Sequence, residues 1–158
     1  MTLAVGTAAP DFSVAGTDGT EAGRRDYTLS DYAGQPGVLV FYPADHSPVC
    51  TVQLQTYSHD IGEFADVGAA VLALSPQSID EHEGFLAEHD FAFPLLADEG
   101  KTVGEAYGIL GPLGFYRRSI FVIDGGGTVR YAHRATAGLT FRPTDEIVEA
   151  VRSLERAG

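Results

Sequence analysis

Cys50 is the one cysteine of the chain, and it stands in the stretch Tyr42-Pro43-Ala44-Asp45-His46-Ser47-Pro48-Val49-Cys50-Thr51. A lone cysteine forms no internal disulfide, and a structural zinc site needs several cysteine or histidine ligands. Two roles are left for it: a buried packing residue or a reactive thiol. The surrounding sequence favours the second. The apolar run 38–42 ends at Pro43, a polar loop follows, and a segment with helical periodicity starts at about Cys50. A thiol placed there meets the unpaired N–H groups and the positive end of the helix dipole, both of which favour the thiolate. The dipole alone contributes only about 0.3–1 kcal/mol at an exposed site, so a reactive thiolate also calls for a cation. The best candidate is in the pair Arg117-Arg118, because arginine stays charged and presents several donors in a fixed fork.

Other polar residues carry weaker signals. His46, four residues before Cys50, has the spacing of a local base on the model of Cys–His hydrolases, a weaker reading. His59, His82, His89 and His133 form no i, i+4 pair, so no metal site is expected. Gly125-Gly126-Gly127 lies in a hairpin turn and does not lead into a helix, which excludes a phosphate loop. No cofactor is expected.

The elements that must position Cys50 follow from periodicity. Residues 10–14 read as a short strand, 16–20 as a turn and 27–29 as a returning strand. Ser30-Asp31 caps a short turn that ends at Gly34. The run 38–42, β-branched and aromatic, reads as a buried central strand. Leu54, Tyr57, Ile61 and Phe64 fall at steps of three and four, which predicts one helix from about 50 to 64. A second apolar run at 69–74 completes a parallel strand–helix–strand unit. Ser78 and Glu81 have capping-box spacing, opening a helix to about Glu88. Residues 91–96 read as extended, Asp98 caps a short helix over 99–107, and Gly108 stops it. Residues 119–124 and 128–133 form the clearest hairpin. Thr144 caps a last helix whose buried face is Ile147, Val148, Val151 and Leu154. This order predicts an α/β, thioredoxin-like fold: a mixed central sheet flanked by helices, with an N-terminal strand pair added. In that arrangement the strand after Arg118 runs beside the end of the strand feeding Cys50.

The 158 residues are expected to form a single domain, 1–158, around one core. The formal charge is −12, and the ten basic residues include a single lysine, Lys101, so a phosphate backbone is repelled and nucleic acid is not an expected partner. No segment is long and apolar enough to span a bilayer. The first residues lack the basic flank and apolar core of a signal peptide. With one unpaired cysteine, these features lead to the expectation of a cytoplasmic protein.

Several segments around Cys50 resemble those of the peroxiredoxins, the AhpC/TSA-like family. Pro43-x-x-x-Ser47-x-x-Cys50 resembles the active-site motif Pro-x-x-x-Thr/Ser-x-x-Cys. Arg118-Ser119-Ile120-Phe121-Val122-Ile123-Asp124 is similar to the strand that carries the family's active-site arginine. Gly6-x-x-Ala9-Pro10-Asp11-Phe12 and Leu29-Ser30-Asp31-Tyr32-x-Gly34 are similar as well, and Thr51-Val52-Gln53 resembles the bacterioferritin-comigratory-protein subgroup. The resemblance implies a thiol-dependent peroxidase acting on hydrogen peroxide and organic hydroperoxides. Cys50 would be the peroxidatic nucleophile, oxidised to a sulfenic acid. Ser47, in place of the commoner threonine, would bond thiolate and peroxide, and Pro43 would shield the thiolate. Arg118 would lower the thiol pKa and bind the peroxide oxygens. Backbone N–H groups near Val49 and Cys50 would complete the anion site, and Gln53 would hydrogen-bond Arg118 or the loop.

One departure matters. Some members of the subgroup carry a resolving cysteine five positions after the nucleophile, where this chain has Gln55. The resemblance therefore implies a one-cysteine cycle, with an external reductant: thioredoxin, glutaredoxin or a low-molecular-weight thiol. Relatives pair through loops near the active site, which makes a homodimer the expected assembly. Two other readings stay open at the level of sequence. One is a monothiol disulfide oxidoreductase on the same sheet, although Ser47 and Gln53 stand where Cys-x-x-Cys would need a partner. The other is a redox relay or sensor that passes oxidation of Cys50 to a client protein.

Overall fold

The computed structural model describes residues 3–135 and 141–157, the last three of these for the backbone alone. Seven strands form one sheet: β1 Ser13–Thr17, β2 Arg25–Thr28, β3 Gly37–Phe41, β4 Ala70–Ser75, β5 Leu95–Ala97, β6 Ser119–Ile123 and β7 Val129–Arg134. Their order across the sheet is β2-β1-β5-β4-β3-β6-β7. The central pairs β3–β4 and β4–β5 are parallel, and the flanking pairs are antiparallel. Among the described residues, five α-helices pack on it: α1 Pro48–His59, α2 Ile61–Asp66, α3 Ile79–His89, α4 Thr102–Ala106 and α5 Thr144–Ala157. This is the thioredoxin-like α/β arrangement, with β1 and β2 as the added N-terminal pair.

Strand β3 is buried along its whole length, as its unbroken apolar sequence requires of a central strand covered on both faces. Its side chains alternate between two cores. Val38, Val40 and Tyr42 face Leu54 and Tyr57 of α1, Phe64 of α2, Phe85 of α3 and Ile147 of α5. Leu39 and Phe41 face Val103 of α4 with Tyr107, Tyr116 and Phe121. The period of two along β3 thus sets one helical layer on each side of the sheet.

Several local expectations are met atom by atom. Ser78 Oγ accepts from Glu81 N at 3.2 Å, so the capping box opens α3. Gly108, at φ +70°, follows α4 in a left-handed conformation that a side chain would strain. Asp98 does cap α4, but from a distance. The helix starts at Thr102, and both Asp98 carboxylate oxygens reach over the turn to accept from Val103 N and Gly104 N at 3.1 and 2.9 Å.

Other boundaries differ from the periodicity. The helix expected over 50–64 is two helices, because Asp60 leaves the helical path at φ −93°, ψ 15° and begins a new turn. The apolar spacing continues across that break, since both helices pack on the same core, so spacing alone does not reveal it. Helix α1 also begins two residues earlier than expected, with Pro48 in its first turn, where a missing N–H costs nothing. In the N-terminal pair, Gly16 and Thr17 belong to β1, where they pair with Leu96 and Leu95, and do not form a turn. Burial of Thr17 against β5 outweighs the turn propensity of its Gly-rich neighbourhood. Thr144 opens α5, and its hydroxyl donates to Asp60 Oδ2 at 2.7 Å, tying that helix to the α1–α2 break.

Candidate active site

Cys50 is the third residue of α1 and is fully buried. It shares one helix face with Gln53, Leu54 and Tyr57, the i, i+3, i+4, i+7 set that α1 turns inward. The first N–H groups of a helix have no partner in a preceding turn. Pro48 has no N–H, so Val49 and Cys50 supply the first of them, at the end of the helix where the dipole is positive. Thr51 is the first residue to bond back, with its N–H and its hydroxyl both donating to Ser47 O at 2.8 Å.

The cation comes from the other side of the sheet's central seam. Strand β6 runs antiparallel to β3 with Ser119 opposite Phe41. The residue before Ser119 is therefore carried beside the loop that leaves β3. Arg118 is only 4 % exposed, and its Nη1 donates to Cys50 Sγ at 3.3 Å. The same nitrogen donates to Gln53 Oε1 at 2.5 Å. Gln53 Nε2 in turn donates to Tyr57 OH at 3.5 Å, and Tyr57 OH donates to Arg142 O at 2.6 Å. Burial pushes the Tyr57 hydroxyl up to about 12, which keeps it a donor at neutral pH. The chain Arg118–Gln53–Tyr57 is thus a continuous hydrogen-bonded support behind the thiol.

Arg117, the other half of the pair, directs its N–H and carbonyl to its neighbours: its N–H donates to Ile109 O and its carbonyl accepts from Ser119 Oγ. Pro43 and Ser47 flank the loop before α1, and both are half-buried. Ser47 is the N-cap residue of α1, yet its side chain makes no capping hydrogen bond, so the hydroxyl is not committed to the helix. Val49 lies in the first turn next to Cys50. His46 is exposed and takes a left-handed backbone at φ +65°. Its ring packs on Phe85 at 5.0 Å between centroids, and Nδ1 lies 3.2 Å from Glu88. Gln55 is exposed on α1, with its amide 3.2 Å from His89 of α3.

The sequence reading missed one cluster. Asp45, in the loop before Cys50, has its side chain fully buried against His82 of α3, with Nδ1 2.7 Å from Oδ2. Tyr42 OH donates to the other carboxylate oxygen at 2.7 Å. The available signal was His82 on the apolar face of α3, in step with Phe85 and Leu86. No spacing rule links it to Asp45, which is 37 residues away. Among the described residues, no group of three or more metal-ligating side chains converges, and no helix is long and apolar enough to cross a membrane.

A buried thiol at a helix N-terminus is thus faced by a buried arginine on a thioredoxin-like sheet. The chain belongs to the AhpC/TSA family of peroxiredoxins, whose family model matches residues 5–132. It is similar to the chloroplastic peroxiredoxin Q of Oryza sativa subsp. japonica, with 32% identity over 152 residues, covering 95% of this chain and 66% of that protein. The chain thus spans just under two thirds of the length of that relative. A putative peroxiredoxin in the rubredoxin operon of Clostridium pasteurianum is 31% identical over 168 residues, covering 100% of this chain and 93% of that protein. Among solved structures, the peroxidoxin BcpB of Mycobacterium tuberculosis superposes with a TM-score of 0.82 at 27% identity, covering 95% of this chain and 97% of that one.

Proposed function

We propose that this protein is a thiol-dependent peroxidase in which Cys50 reduces hydrogen peroxide and organic hydroperoxides. The observation that carries the reading is the 3.3 Å contact from Arg118 Nη1 to the sulfur of the chain's sole cysteine. The thiolate attacks the nearer peroxide oxygen, an S–O bond forms and the O–O bond breaks. The leaving oxygen takes the electron pair and one proton and departs as water or an alcohol, and Cys50 becomes a sulfenic acid. Charge moves from sulfur to the leaving oxygen along this path. A guanidinium beside Sγ, with the N–H groups of Val49 and Cys50, stabilises that movement without reorganising. Ser47 supplies a hydroxyl that both donates and accepts at the loop, and Pro43 limits water at the sulfur. Gln53 holds Arg118 in register.

With no second cysteine in the chain, recycling falls to an external thiol. One thiol condenses with the sulfenic acid to give a mixed disulfide and water. A second thiol cleaves that disulfide and restores Cys50, leaving the reductant oxidised. Thioredoxin, glutaredoxin and low-molecular-weight thiols are the candidate donors, and such a cycle fits the reducing conditions of a cytoplasm.

Rapid mixing with a small excess of hydrogen peroxide, followed by intact mass, tests the reading. Addition of one oxygen, far faster than for a free thiol at the same pH and absent in Cys50→Ser, is the expected result. Unchanged peroxide consumption by Cys50→Ser in the presence of a reductant overturns it.

A further inference from the structure

The buried cluster of Tyr42, Asp45 and His82 sits at the root of the loop that delivers Cys50, and the thiol chemistry described above does not use it. Hydrogen-bond accounting fixes its protons. His82 Nε2 lies 3.0 Å from Leu96 O, and a carbonyl oxygen only accepts, so Nε2 carries a hydrogen. Tyr42 OH donates to Asp45 Oδ1. Nδ1 lies 3.5 Å from Tyr42 OH, whose hydrogen already goes to Asp45, and 2.7 Å from Asp45 Oδ2, and that shorter contact needs a proton of its own, on the nitrogen or on the oxygen. Either way the Asp45–His82 pair holds one proton more than a neutral imidazole beside a carboxylate, and the pair is neutral as a unit.

That neutrality has a consequence for the sulfur. Tyr42 and Cys50 are buried in one core cluster, and Tyr42 OH donates to Asp45 at 2.7 Å, so the loop carboxylate and the sulfur border a common low-dielectric region. A bare Asp45 carboxylate there would oppose thiolate formation and compete with Cys50 for the field of Arg118. The ionisable groups facing this region are Tyr42 from the end of β3, Asp45 from the loop, Cys50 from α1, His82 from α3 and Arg118 from the start of β6. Ser75 of β4 adds a hydrogen bond to Tyr42.

We propose that His82 is a positioning residue for the Cys50 reaction: by keeping its proton shared with Asp45, it neutralises the loop carboxylate and leaves Arg118 to the thiolate. The proposal rests on the peroxidase reading for its purpose but not for its test, because the titration of Cys50 is read without peroxide.

The test follows the ultraviolet absorbance of the Cys50 thiolate against pH in the full chain, with Cys50→Ser as the blank. His82→Gln keeps a donor toward Asp45 and removes the positive charge. Its thiolate midpoint is expected to rise by about one pH unit, the usual effect of an added like charge nearby. The double variant Asp45→Asn/His82→Gln removes the carboxylate as well, and its midpoint is expected to return to that of the unaltered protein. A merely structural role predicts the opposite order, with the double variant at least as displaced as the single. That order, or an unmoved midpoint in His82→Gln, overturns the proposal. If His82→Gln does not fold, Asp45→Asn alone decides: a midpoint equal to or below the original supports the proposal, and a higher one overturns it. Peroxide consumption surviving in Cys50→Ser would sink the peroxidase reading and leave these titrations intact.

Discussion

Arg118 and Cys50 are 68 positions apart in sequence, and Arg118 Nη1 lies 3.3 Å from Cys50 Sγ with both residues buried. The contact exists because β6 pairs antiparallel with β3, so the residue entering one strand meets the loop leaving the other. A charged group held out of water next to a sulfur acts at low dielectric, where its field is worth far more than at the surface.

Removing that charge is expected to slow oxidation of Cys50 by peroxide by about a hundredfold in Arg118→Ala, in line with loss of one preorganised donor. Arg118→Lys should recover part of the loss, because the charge remains while the planar fork is gone. Stopped-flow oxidation rates at fixed pH measure both. A loss of less than about threefold in Arg118→Ala would mean that the dipole and the N–H groups suffice.

Gln53 contributes through Arg118. Gln53→Leu keeps the buried volume but removes the acceptor of Arg118 Nη1. A hydrogen bond to a charged group is worth about 1.5–3 kcal/mol, so a loosened guanidinium should lower the oxidation rate by about tenfold or more. Oxidation that is as fast in the variant as in the unaltered protein would show that Arg118 is held adequately by its other contacts.

Asp90 ends α3 in the left-handed region at φ +51°, exposed, with its N–H donating to Leu86 O. An acidic side chain at a helix C-terminus is also unfavourable to the dipole. Asp90→Gly is expected to stabilise the protein by about 1 kcal/mol, a rise in Tm of about 2–4 °C for a chain of this size. Thermal unfolding followed by circular dichroism gives the answer, and a lowered Tm would refute it.

Glu146 opens a pH dependence. Hydrogen bonds from Arg142 and then from Tyr131 pull its carboxyl down to about 2. A carboxylate depressed on folding stabilises the protein above its unfolded value, and that contribution is lost as pH falls through the folded value. The window therefore runs from about pH 4.5 down to about 2. The side chain is about one third exposed, so screening holds the effect to about 1 kcal/mol. Glu146→Gln should be less stable than the unaltered protein at neutral pH, with the gap closing toward pH 2. A gap that stays constant across that range would assign the effect to packing and not to charge.

Much of the site was legible in the chain itself. Cys50 is the only thiol, and its place between a buried strand and an amphipathic helix is a matter of composition and periodicity. Ser78–Glu81, Gly108 and the hairpin around residue 125 are local signals, and each acts within a few residues of itself. Arg118 was legible as a cation before a strand, because strand order in a sheet of this kind is constrained.

The tertiary structure decided what local signals do not encode. Hydrophobic periodicity reports which face is buried and is blind to a break that leaves the face unchanged, so the division at Asp60 was hidden. Asp98 caps a helix that begins beyond its nearest neighbours, because side-chain reach replaces sequence adjacency. The pairing of Asp45 with His82 joins a loop to a helix across 37 residues, and each is an ordinary polar residue until folding removes the water from both. Sequence singles out the thiol because a residue type is a local property. Packing fixes the charges around it, because burial and distance exist only in the folded chain.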